Sequence, residues 1–319
     1  MEIKTEYNNF KLEPKHKKSL LEKMKEQKAL IIMSAPFLVF IIIFAYIPLV
    51  GWSMAFQKFD PASGLFSQQW CGLAQFKQLF SDKVFLGVIR NSVCMSLIML
   101  VLSFVSSIGL ALLLNEIRII IGKKFVQTIS YLPHFLSWVI VAGIIQNVLA
   151  PDTGIINHIL VSLHLISKPI NFFASTKYFW GIVGIGNVWK EVGWGSIIYL
   201  AAITAINPEL YEAAEIDGAG RWQKCLHVTL PGIKATIFIL LIMNVGGIMN
   251  ASFDMSYLLG NGLTQPVSQI IDVYVLKYGV GSNNYSLATA AGIFKSVISI
   301  TLVVLANKFA ALIGEERLF

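Results

Sequence analysis

Asn187, Lys190, Glu191 and Trp194 stand at i, i+3, i+4 and i+7, the spacing that puts side chains on one face of a helix. An amide, an ammonium, a carboxylate and an indole on one face can hydrogen-bond to hydroxyl groups and stack on a ring. That is the chemistry of a wall facing a sugar. The same residues can instead lock two helices together, with Lys190 and Glu191 as an ion pair. Asn244 and Asn250 flank Gly246 and Gly247 and pose a similar choice. Their amides can face sugar hydroxyls, or bond to a neighbouring helix that the small glycines let approach. Lys295 shares the ambiguity. Beyond these residues the sequence offers no His–carboxylate cluster, no metal-ligand spacing and no phosphate-binding glycine loop. No catalytic residue, metal site or bound cofactor is expected. Cys71, Cys94 and Cys225 lie too far apart in the expected topology to bridge.

The elements that carry these residues are set by an apolar composition. Of 319 residues 55% are hydrophobic and 13% charged, about half the charge of an ordinary soluble domain. So few charges cannot cover a water-facing surface, so lipid is the expected solvent. Runs of about 20 uncharged residues mark spans. They fall near Ala29–Gln57, Asn91–Asn115, Phe125–Pro151, Phe179–Ile206, Ala235–Phe253 and Ser286–Asn307. Lys190, Glu191 and Lys295 interrupt two of them, where a charge costs at least about 2.5–3.5 kcal/mol and needs a reason. The expected fold is therefore all-α and polytopic, with six transmembrane helices over residues 29–307 and tails at 1–28 and 308–319.

Lys and Arg set the orientation. Sixteen fall on the side of the two termini and seven on the other, so both termini are expected in the cytoplasm of a cell-membrane protein. The N-terminal tail holds eight of the Lys and can form a surface helix over Lys18–Lys28, but it lacks the interleaved aromatics of a nucleic-acid site. A long basic region followed by a full span is no cleavable signal. Outside the membrane, residues 53–90 read as a partly structured cap, with Pro61 and Phe66 among its residues. An apolar patch, Ile155–Ile166, reads as interfacial. In segment 254–285 a Gly-rich turn precedes an extended or helical stretch from Val267 to Tyr278.

One predicted cytoplasmic segment, 207–231, is unlike a connector. Asn207 is a good N-cap and Pro208 suits the first helical position. Glu209 and Glu212 favour the positive end of the helix dipole, and Gly218 and Gly220 supply a stop. A helix over Pro208–Asp217, roughly 15 Å long, is expected. A second helix then runs to about Val228, and Pro231 resets the chain. Asp217 is expected to cap or to pair with Arg221. Ala213 and Ala214 are small enough for a partner to approach closely.

Glu212-Ala213-Ala214, Asp217-Gly218-Ala219 and Leu230-Pro231 resemble the signature loop of permease subunits of binding-protein-dependent ABC importers. Cys225 stands where relatives usually carry Phe. The stretch Trp189–Ala201 resembles the carbohydrate, maltose-like branch. Ile271–Val275, Tyr285–Gly292 and the ending Glu315–Phe319 resemble its complex oligosaccharide and polysaccharide sub-branch. The resemblance implies a type I importer permease with a cytoplasmic coupling helix. Glu212, Ala213, Ala214, Asp217 and Gly218 would dock on an ATPase. Asn187, Lys190, Glu191, Trp194, Asn244 and Asn250 would line the substrate pathway. It also implies a second permease, two ATPase subunits that bind ATP and Mg, and an extracytoplasmic solute-binding protein delivering a sugar. A permease of the same class for a non-sugar solute is the alternative. A secondary transporter would need coupling-ion sites and internal repeats, and neither is evident.

Overall fold

The computed structural model describes residues 26–60, 62–64, 67–250 and 253–312. The expected helix before residue 26, Pro61, Phe66, the ending 315–319 and the side chain of Asn250 lie outside the described residues. The chain divides into a first unit, Met1–Trp52, and a second, Ser53–Phe319. In the first unit α1, Lys28–Ile41, continues through a π turn, Ile42–Tyr46, into a 3-10 stretch, Ile47–Phe56. Pro36 and Pro48 lie within it, and its apolar side chains are exposed.

The second unit opens with a two-residue antiparallel ladder, β1 (Gln57–Lys58) against β2 (Gln69–Trp70), and α2, Ala74–Ser81. The Asp82 carboxylate then caps the longest helix, α3, Lys83–Glu116, by accepting from Val84 N at 2.9 Å. After α3 come α4 (Ile120–Tyr131), α5 (Trp138–Val148), α6 (Ile155–Ser162) and α7 (Thr176–Thr204). The chain continues through α8 (Pro208–Ile216), α9 (Arg221–Gly232) and α10 (Lys234–Gly247). Three short helices follow, α11 (Phe253–Leu259), α12 (Gln265–Ser268) and α13 (Ile271–Tyr274), the last running into a π turn, Val275–Val280. The final helix is α14, Tyr285–Leu312.

Three apolar clusters hold this unit together, and α3 packed along α7 is its axis. Met95 and Met99 of α3 meet Phe179 and Val183 of α7 in one cluster. Nearer the other end, Ala111 and Leu114 meet Tyr199 and Ile203.

Among the described residues three helices are long and apolar enough to cross a membrane: Lys28–Phe56, Lys83–Glu116 and Tyr285–Leu312. The count rises to five when each of two bent helix pairs is taken as one span. Helix α7 has the length, 29 residues, but its glycines, Lys190 and Glu191 make it less apolar. The third expected span, Phe125–Pro151, is not one straight helix. α4 passes through a 3-10 turn, Leu132–Phe135, and the chain bends by 105° before α5. Pro133 has no N–H for the helix ladder, and Ser137 starts the new helix by accepting from Ile140 N at 3.4 Å. The second bend, 61° between α9 and α10, follows Pro231.

Candidate functional site

Two places gather the polar residues singled out above, and the first is the loop between α7 and α10. Asn207 Oδ1 accepts from Glu209 N at 3.1 Å, and Pro208 opens α8. The helix ends at Ile216, one residue before the expected limit, because Asp217 is its C-cap and Gly218 turns to φ +77°. Ala219 N then donates to Ala214 O at 2.9 Å and Gly218 N to Glu215 O at 3.0 Å. These are the two hydrogen bonds of a Schellman stop, which requires a left-handed residue where Gly218 stands.

Tyr211 Oη and Thr229 Oγ1, 3.0 Å apart, tie α8 to α9, as does a Glu215–Lys224 salt bridge. The Lys224 hydrogen bond and then its charge hold the Glu215 carboxyl below its ordinary pKa. Arg221 does not pair with Asp217 as expected. Its guanidinium reaches the Glu116 carboxylate, 3.9 Å away at the end of α3. Glu212, Ala213, Asp217 and Gly218 are exposed and Ala214 is half-buried. Beside them Ile216 is 87% and Trp222 72% exposed, two apolar residues that a solvated connector has no reason to display. Sequence reasoning passed over both, although large apolar side chains in a polar loop were a readable signal.

The second place is a cavity of ≈ 500 Å³ between α3, α7 and α10. Asn187, Glu191 and Trp194 line it from α7, Asn244 from α10, and Ser103 and Ser107 from α3. Asn187 Nδ2 donates to Ser103 Oγ at 2.7 Å, so its amide also ties the two helices. Lys190 is on the same helix but not in the lining. It is buried, with its ammonium 2.6 Å from the His134 carbonyl oxygen, 3.2 Å from Glu191 and 5.0 Å from the centre of the Trp138 ring. Lys190 therefore fits the helix-locking reading by holding the bend between α4 and α5, while Glu191 and Trp194 face the cavity. The close approach behind the lock depends on Gly193, where a Cβ would come 2.0 Å from Ser130 O.

The fold brings a His–carboxylate pair together, His134 with Glu191. His134 Nδ1 donates to Glu191 Oε2 at 2.7 Å, and its ring stacks on Trp194 at 4.5 Å with planes 2° apart. Phe135 meets the same indole edge-on. A His just after a proline inside an apolar run was the available signal. Among the described residues no group of three or more His, Cys, Asp or Glu side chains is placed to hold a metal ion. Lys295 is an ion-pair partner: its ammonium lies 2.6 and 2.7 Å from the two oxygens of Asp272 and joins α14 to α13.

The arrangement of loop and cavity can be set against known proteins. The family model described as binding-protein-dependent transport system inner membrane component matches residues 107–314. The chain belongs to this family. The match contains both the Glu212–Gly220 loop and the α7 face, and it bears out the resemblance carried by the loop. The permease is 41% identical over 303 residues to the polygalacturonan/rhamnogalacturonan transport system permease protein YteP of Bacillus subtilis (strain 168), covering 95% of this chain and 94% of that one. It is 38% identical to protein LplB of the same organism, with 94% of each chain covered. A solved bacterial ABC transporter involved in the import of the acidic polysaccharide alginate superposes with TM-score 0.85 at 38% identity. That match covers 92% of the permease and 99% of the other chain. A bacterial alginate ABC transporter in complex with alginate pentasaccharide-bound periplasmic protein gives TM-score 0.87 at 36% identity, covering 94% and 100%.

Proposed function

We propose that the permease is one of two transmembrane subunits of an ATP-driven importer for oligosaccharide fragments of a polysaccharide. The observation that carries this is the cavity between α3, α7 and α10. Its amides, hydroxyls and exposed indole suit a sugar, in a chain whose relatives serve galacturonan, rhamnogalacturonan and alginate transport. In this reading the cavity is half of a pathway completed by a second permease, and an extracytoplasmic binding protein delivers the sugar. Six spans are counted by taking α4–α5 and α9–α10 as one crossing each and adding α7. The Lys/Arg split of sixteen to seven puts both termini in the cytoplasm.

That orientation puts the 207–231 loop in the cytoplasm, where α8, with Ile216 and Trp222 exposed beside it, meets one of two ATPase subunits. ATP and Mg are bound there and not by this chain. ATP-driven movement of α8 passes through Asn207 and Thr229 into α7 and α10, which wall the cavity. Asn187, Glu191, Trp194 and Asn244 contact the passing sugar, whereas Lys190 holds the wall in shape. The N-terminal 1–28 and C-terminal 308–319 segments are tails of the 29–307 permease domain. In reconstituted vesicles the complex should hydrolyse ATP faster, and take up sugar, only with sugar-loaded binding protein. Stimulation by a binding protein carrying a non-sugar solute instead would redirect the substrate assignment.

A further inference from the structure

The face of α7 opposite the pathway carries a groove of ≈ 770 Å³ that the transport reading leaves unused. At 3.6 residues per turn, Gly181, Ile185 and Trp189 lie about half a turn from Asn187, Glu191 and Trp194. Helix α5 walls the groove through Ile144 and Val148, and α6 through Ile156 and Leu160. The α6 wall is a built element. Asn157, 2% exposed, donates to Ala150 O and Ile170 O at 3.0 Å and accepts from Ile170 N at 2.8 Å. The lining is apolar except at one end, where Lys177 is its one charged residue among those described. Lys177 is exposed, with its ammonium 5.7 Å from the centre of the neighbouring Tyr178 ring. From Lys177 to Trp189 the groove follows α7 for roughly 18 Å, about an acyl chain's length.

We propose that this groove holds one acyl chain of an anionic phospholipid, with the lipid phosphate on Lys177. The proposal rests on reading α7 as a membrane span. In that setting the second permease closes the pathway on the opposite face, and this face turns to lipid. Lipid tails are as apolar as the groove, so burial of the chain gives no selectivity by itself. Selectivity comes from charge: Lys177 sits where α7 begins, at headgroup level, beside Tyr178, whose ring meets that of Phe172 edge-on. An anionic headgroup gains the Lys177 contact that a zwitterionic one largely lacks.

The test uses the whole complex, exchanged into vesicles of phosphatidylcholine mixed with phosphatidylglycerol, with retained lipid read by native mass spectrometry. The wild-type complex should retain phosphatidylglycerol in preference to phosphatidylcholine. Lys177→Gln should reduce that preference about fivefold, the equivalent of one juxtamembrane basic contact. Gly181→Phe places its ring in the groove, since a Cβ there meets nothing within 4 Å. It should lower retention of both lipids while the complex still assembles. Equal retention of the two lipids by the wild type, or unchanged retention in Gly181→Phe, would overturn the proposal. So would efficient cross-linking of Ile185→Cys to the second permease, because that subunit would then occupy the groove. Retention is measured without transport, so failure of the importer reading, seen as absent ATPase stimulation, is a separate result.

Discussion

At the scale of single residues, two kinds of buried or half-buried polar group have to be told apart: those that hold the wall and those that face the cavity. Spacing alone put Asn187, Lys190, Glu191 and Trp194 on one stripe. It could not separate Lys190 from Glu191, because the partner that draws Lys190 away is a backbone carbonyl freed by the bend at Pro133. His134 stood out only as a His after a proline, and its partner was not readable, since its contact with Glu191 spans 57 positions of sequence. The separation makes a prediction. Trp194→Ala removes a stacking surface and should lower sugar uptake several-fold, while complex assembly and basal ATPase activity persist. Uptake by vesicles, measured beside gel filtration, checks it. Loss of assembly would mean that the indole only supports His134. The Lys295–Asp272 pair belongs to the holding class. Lys295→Met leaves a part-buried carboxylate unpaired and should lower the unfolding midpoint of the purified complex. Adding Asp272→Leu should recover much of that, seen as a restored unfolding midpoint of the purified complex.

At the scale of elements, helix α8 was readable nearly to the residue because its signals are local: Asn207, Pro208 and Gly218 act on backbone groups within one turn of themselves. The α4–α5 bend was missed, although Pro133 and Ser137 are equally local. A run of uncharged residues long enough to span hid the break, and hydropathy carries no information about direction. Of the two roles expected of Asp217, it takes the C-cap position and not the pairing with Arg221, for which the fold offers Glu116 from another helix. The contact between α7 and α4 depends on Gly193. Gly193→Leu forces a side chain into the Ser130 backbone and should abolish a stable complex, seen as loss of the cooperative thermal transition. The Glu215–Lys224 bridge acts more weakly, on a fully exposed carboxyl. With its folded pKa depressed, its contribution is present above the ordinary carboxylate pKa and fades as the pH falls below it. Glu215→Gln should therefore narrow the stability difference between neutral and acidic pH, as followed by thermal unfolding at several pH values.

At the scale of the whole molecule, composition led directly to a polytopic membrane protein, and the Lys/Arg asymmetry to a proposed orientation with both termini in the cytoplasm. Exposed positions test that orientation better than the native thiols, which are all partly buried. In a variant without Cys71, Cys94 and Cys225, Ile216→Cys should react with an impermeant thiol reagent only after the cells are permeabilised. Labelling of intact cells would invert the topology. The cavity as a whole was less legible than the spans, because α3, α7 and α10 are brought together by packing and not by any motif.

The central claim is that the 207–231 loop couples ATP hydrolysis on another subunit to movement of these helices. The most direct measurement is ATPase stimulation by loaded binding protein, together with uptake, in vesicles carrying the complex with Gly218→Val. Valine at φ +77° is strained by about 1–3 kcal/mol, and relief of that strain re-aims α8 without touching lipid or the cavity. The variant should insert and assemble, yet lose uptake, through weaker ATPase binding or through ATP turnover no longer governed by the binding protein. Wild-type stimulation and wild-type uptake in Gly218→Val would show that the loop is only a connector, and would contradict the account.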